Sequence, residues 1–104
     1  MPGIDINFFI RQASKLTKDI EKRKLELAEE SIEGRAGELV TVVVSGVQDV
    51  KSVRIDPKAL EGGDKAMLED LIVAAVNQAI QNSRKHMNAE LEKISGGVKI
   101  PGLT

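Results

Sequence analysis

Apolar residues Phe9, Ala13, Leu16, Ile20 and Leu27 recur in the first third of the chain at spacings of four, three, four and seven. That period belongs to a helix, and it predicts one from Asn7 to about Glu30 with a single narrow apolar seam. From Ser31 the pattern changes. In "SIEGRAGELVTVVVSGVQDVKSVRID", β-branched residues replace Lys and Glu, and Gly34, Gly37 and Gly46 break the run at turn-like intervals. The prediction is an antiparallel meander with strands near 31–35, at 38–45 and at 49–55. Val40, Val42 and Val44 should face the core, and the alternate set Leu39, Thr41, Val43 and Ser45 is apolar enough to be partly covered.

The stretch "IDPKALEGGDKAMLEDL" carries five carboxylates and a Gly-Gly pair. A helix-loop-helix calcium loop starting at Asp56 would need oxygen ligands where Lys58 and Leu60 stand, Gly at Glu61 and a Glu at Met67, so that geometry is excluded. Punctuation explains the residues better. Asp56 before Pro57 is a helix-start signal for one turn that ends at "EGG". Asp64 then caps a much longer helix reaching about Ser95, with an acidic first turn expected to complement its dipole.

Within that helix "LIVAAV", residues 71–76, has no polar face, which implies burial on both sides. Past Asn82 only Met87, Leu91 and Ile94 remain apolar, a two-helix seam. Helices of about 24 and 31 residues measure roughly 36 and 46 Å, whereas a compact chain of this length is about 33 Å across. Both must protrude, and protruding seams need a partner. A two-fold homodimer meets both demands. Its interface is expected on Leu71, Ile72, Ala75, Val76, Ala79, Ile80 and Met87. The tail from 95 to 104, with "GGVKIPGLT", is expected to be flexible.

The 104 residues suffice for a single domain over 1–104. Two Phe are the only aromatics, which leaves no stacking platform for unpaired bases. With no Cys, thiolate chemistry and disulfides are excluded, and a reducing cytoplasm is compatible. No stretch approaches the roughly 20 apolar residues of a membrane span, and no export signal opens the chain. Net charge is −1 and the pI is near 5.8, so any nucleic-acid binding must rest on a local patch.

Catalysis finds no footing. His86 is the only imidazole, placed on a helix between Lys85 and Met87, and neither a nucleophile elbow nor a phosphate-binding loop occurs. No enzyme, metal or cofactor is expected. The informative feature is on the first helix: Arg11, Lys15, Lys18 and Lys22 fall within about 60° on the face opposite the apolar seam. Arg23 and Lys24 extend the stripe. Residues 11–24 hold six cations against two carboxylates, a candidate phosphate rail. The competing interpretation is a solvated helix with i, i+4 pairs Lys15–Asp19 and Lys22–Glu26. Arg84 and Lys85 on the long helix are second candidates.

"GELVTVVVSGVQDVKSVRIDPKAL", then "DKAMLEDLIVAAVNQAI" and a closing "PGL", resemble the YbaB/EbfC family of bacterial nucleoid-associated proteins. The likeness covers about residues 30–82; in the first helix only Arg11-Gln12-Ala13 is close to the family's usual start. The resemblance implies an α+β fold, an α-β-β-β-α protomer with a three-stranded antiparallel sheet and two long helices, paired into a tweezer-like homodimer. It further implies binding of double-stranded DNA with little sequence preference, in the cytoplasm and nucleoid, with a part in nucleoid organisation and gene regulation. Carried over, the contacts fall on Arg11, Lys15, Lys18 and Lys22, with Arg84 and Lys85 behind them. The alternative is a homodimeric protein-interaction module that grips a replication or recombination partner without touching DNA.

Overall fold

The computed structural model describes residues 5–96. Its elements are α1 (Ile6–Ala28), β1 (Ser31–Ala36), β2 (Val40–Ser45), β3 (Val50–Ile55), a 3-10 segment (Pro57–Gly63) and α2 (Lys65–Ile94). The expected α-β-β-β-α order is the one found, with an antiparallel sheet of order β1-β2-β3. Of the tail expected to be flexible, all but Ser95 and Gly96 lies outside the described residues.

Local chemistry sets the boundaries. The Asp5 carboxylate accepts from the Asn7 and Phe8 backbone N–H groups and starts α1. Asp56 and Asp64 cap the 3-10 segment and α2 in the same way. The acidic first turn expected of α2 is absent, because Glu69 and Asp70 fall beyond it; the Asp64 carboxylate accepts from the Met67 N–H there. β2 begins at Val40 rather than 38, since Gly37 and Glu38 both adopt positive φ, 56° and 57°, in the three-residue turn, 37–39, that joins β1 to β2.

α2 lies across β1 and β2. Val40, Val42 and Val44 are fully buried beneath Ala75 and Ala79, as the alternation of β2 predicts. The helix can approach so closely because β1 offers Gly34: a Cβ there would collide with backbone atoms of Ala75 and Ala79. Gln78 and Asn82 then reach past β1 to its free edge, where Gln78 Oε1 accepts from the Arg35 N–H at 3.2 Å and Asn82 Nδ2 donates to the Glu33 carbonyl at 3.0 Å. These side chains satisfy an edge that would otherwise template pairing with another strand.

A second, smaller cluster joins α1 to the distal half of α2, with Leu27, Met87 and Leu91 buried and Ile20 and Ile94 packed against them. Polar burial between the two clusters is satisfied: Ser83 Oγ donates to the Ser45 carbonyl at 2.6 Å and accepts from Gln48 Nε2 at 3.0 Å. The result is a rod, 77 × 20 × 15 Å, which agrees with the overshoot expected from helix length.

The apolar seams are covered unevenly within one chain. Phe9 and Ala13 are exposed, because α1 runs antiparallel to α2 and extends beyond its end. Among the residues expected at a dimer interface, Ala75 and Ala79 are consumed by the protomer's own sheet, and Met87 by its own α1. Their apolarity is explained inside one chain. Ile72, Val76 and Ile80 are only half-buried, and Leu71 packs near the β1–β2 turn at Gly37.

Candidate nucleic-acid interface

α1 presents its cations outward. Leu16, Ile20 and Leu27 turn toward α2, so the face roughly 200° away, bearing Arg11, Lys15, Lys18 and Lys22, points into solvent. All four are exposed. The i, i+4 pairs that would have explained them as solvation are not formed: no ion pair links Lys15 to Asp19 or Lys22 to Glu26 among the described residues, and Glu26 turns instead to Arg23. Four like charges therefore stand along one helix face without a carboxylate partner.

Arg23 does not belong to that set. Its guanidinium binds Glu90 at 2.5 Å and Glu30 at 3.1 Å, and lies 3.6 Å from Glu26. His86 Nε2 adds a 2.8 Å contact to Glu30, and Lys93 one of 2.5 Å to Glu90. The pairing with Glu90 holds the Arg23 pKa above its ordinary value. Lys93 first and Arg23 second hold the Glu90 carboxyl down at about 2, and the hydrogen bond to His86 lowers that of Glu30. This network pins the root of α1 to α2. A role for Arg23 on a phosphate rail would require breaking it, and Lys24 is half-buried.

Arg84 and Lys85 are exposed on α2. Helix geometry places Lys85 about 150° from the Met87–Leu91–Ile94 side that holds α1. It lies on the back of the rod, so one protomer cannot bring it and the α1 stripe to the same side of one duplex. No group of three or more His, Asp or Glu among the described residues is placed to hold a metal ion, and no helix there is long and apolar enough to cross a membrane.

The sheet supplies cations that the linear pattern did not single out. Register aligns Arg35, Thr41 and Arg54 across the three strands on the face turned away from α2. Their signal was present in the alternation of "SIEGRA", where Ser31, Glu33 and Arg35 fall on one face, and in the spacing of Ser52 and Arg54 in "VKSVRI".

The sequence profile of the YbaB/EbfC DNA-binding family matches residues 1–98. The chain belongs to that family. A nucleoid-associated protein of Myxococcus xanthus is 61% identical over the whole of both chains. One of Anaeromyxobacter dehalogenans is 45% identical, covering 96% of this chain and 98% of its own. An uncharacterized Helicobacter pylori protein, HP0035, shares the fold with a TM-score of 0.78 at 16% identity, covering 90% of this chain and all of its own. The YbaB/EbfC match extends through α1, the helix in which the sequence likeness was weakest, so the cationic stripe lies within the family's matched region.

Proposed function

We propose that this YbaB/EbfC protein is a single-domain, homodimeric clamp for double-stranded DNA, acting in the cytoplasm on the nucleoid and holding the duplex by its phosphates without a chemical step. The observation that carries this is the α1 face on which Arg11, Lys15, Lys18 and Lys22 are exposed and unpaired among the described residues. Lysine-rich ridges contact phosphates, which position a duplex without reading its sequence. A role in nucleoid organisation and gene regulation follows from such coating of DNA.

The dimer is argued from an uncovered ledge. α2 spans β1 and β2 but leaves the inner side of β3 open, so Val50, Val53 and Ile55 are exposed beside the half-buried Ile72, Val76 and Ile80. A second copy laying its own α2 and β3 there would bury both ledges about a two-fold axis. Val73, 59% exposed, lies on the same flank. If two protomers together neutralise roughly four to eight phosphates, the slope of log K against log salt is about −4 to −7.

The test is a gel-shift titration at several salt concentrations, with random and defined duplexes. Lys15→Glu together with Lys18→Glu should abolish binding while leaving sedimentation as a dimer unchanged. A slope near zero, or retained binding in that variant, overturns the proposal. A second interpretation has one observation in its favour: Ile6, Phe8, Phe9 and Ile10 are all exposed at the tip of α1, an apolar cluster suited to another protein. Duplex binding that survives charge reversal but not Phe8→Ser would favour that interpretation.

A further inference from the structure

The face of the sheet turned away from α2 has a composition unlike the rest of the protein. Ser31, Glu33 and Arg35 of β1, Thr41 and Val43 of β2, and Ser52 and Arg54 of β3 come to it by register. An irregularity in the β2–β3 pairing, where Val43 faces Ser52 but Val44 faces Val50, leaves Lys51 as an extra residue. Such bulges re-aim a side chain. Here the Lys51 ammonium reaches the same face, donating to the Ser31 hydroxyl at 3.4 Å and to the Glu30 carbonyl at 3.3 Å.

Three cations thus share the surface with small hydroxyls and one acid, Glu33. Both guanidinium groups turn to it, Arg35 at 3.2 Å from Oε2 and Arg54 at 3.5 Å from Oε1. These contacts are long and the arginine side chains are 64% and 70% exposed, so the carboxylate holds them weakly. It nevertheless shows that two guanidinium groups from different strands converge on a single oxyanion. Of the other acids near this face, Glu38 and Asp56 stand at the far end of the shallow depression beside Thr41, and Glu29 is exposed at the α1–β1 corner.

Position supplies the second argument. The sheet packs against the first half of α2 and α1 against its distal half, end to end along the 77 Å rod. The Glu29–Ser31 corner joins them, and Lys51 stands at that corner through its contacts with the Glu30 carbonyl and the Ser31 hydroxyl, so the cations of the sheet face begin where α1 ends. No aromatic side chain lies on the sheet face, which excludes stacked single-stranded bases as its ligand. A backbone of regularly spaced phosphates fits it.

We propose that this outer sheet face is a second phosphate-backbone contact for duplex DNA, in which Arg35, Arg54 and Lys51 bind phosphates and Glu33 occupies the arginine pair until DNA displaces it. The inference rests on the DNA-binding role of α1 and extends it over the sheet. It makes Glu33 an internal competitor, so removing its charge should strengthen binding.

The experiment compares the full chain with Arg35→Gln/Arg54→Gln, Glu33→Gln and Lys15→Glu/Lys18→Glu on a duplex of about 24 base pairs, long enough at 3.4 Å per step to span the rod. Thermal melts monitor folding. Expected are a loss of about tenfold in affinity and a shallower salt slope for the double arginine variant on every duplex sequence, and a tighter complex with a steeper slope for Glu33→Gln. If the arginine variant binds like the parent while the α1 variant fails, the sheet contact is refuted and the α1 role stands. If the parent binds no duplex, both fall. Should the arginine variant prove unfolded, Glu33→Gln decides alone: tighter binding supports the contact, and unchanged or weaker binding overturns it.

Discussion

The body formed by α2 on the sheet and the arm formed by α1 are held together by opposite means. The body relies on close approach: Gly34 under Ala75 and Ala79, with Val40, Val42 and Val44 fully buried around them. The arm has 23 residues, of which Leu27 alone is buried. Its root is fixed by the Leu27–Met87–Leu91 cluster and the Arg23–Glu90–Glu30 ion network, and its outer half touches little. Shape therefore resides in the body, and the cations stand on a helix that contributes little to holding that shape.

The largest effect should come from the body. Gly34→Val places a branched side chain where even a Cβ meets α2 backbone. Backbone cannot rotate away as a side chain does, so the loss should reach or exceed about 3 kcal/mol, the upper end of ordinary overpacking. Circular dichroism should show an unfolded chain at 25 °C or a sharply lowered melting point. A native-like melt would mean that α2 can lift off β1, and the contrast between body and arm would weaken.

Leu27→Ala probes the arm's root. Loss of a fully buried Leu costs about 2 to 5 kcal/mol when the whole fold feels it. Here the cost should be local, because Leu27 belongs to the smaller cluster. Hydrogen exchange should accelerate across α1 and the end of α2 while the β2 amides stay protected. Uniform acceleration would show that arm and body unfold as one unit.

The body was legible in the sequence and the arm less so, for one physical reason. Alternation in β2 and the Asp caps are local signals, and the caps fall at Asp56 and Asp64 as read. The partner of an apolar face is not local. The period of α1 announced a seam but not that α2 would end beneath Leu16 and Ile20, and the apolar run at 71–76 gave no sign that Ala75 was destined for Gly34. Nor could charge alone separate Arg23 from its neighbours in the stripe. Its carboxylate Glu90 lies 67 residues away in sequence.

That network predicts a pH dependence confined to the arm. Lys93 and Arg23 hold Glu90 at about 2, below the ordinary carboxylate value near 4.3. A lowered folded-state pKa stabilises above the unfolded value and is lost as pH falls through the window from about 4.5 to 2. Denaturation of the parent and Glu90→Gln should therefore differ most at neutral pH and converge near pH 2, with a smaller gap in high salt. A gap independent of pH would remove the network from the arm's attachment.

Phe9 should give the smallest effect of all, although by sequence it lies on the same seam as Leu27. It is 56% exposed, edge-on to Phe8 with ring centroids 5.9 Å apart, beyond the reach of α2. Phe9→Ser should change stability by less than about 0.5 kcal/mol, the usual range for surface positions. The two ends of one helical stripe would then differ several-fold in energy, which ties the value of an apolar residue to the element beneath it. Urea denaturation checks this at low and high protein concentration. A loss above 1 kcal/mol that grows with concentration would mean that a second copy covers the tip, so that the arm is held at both ends.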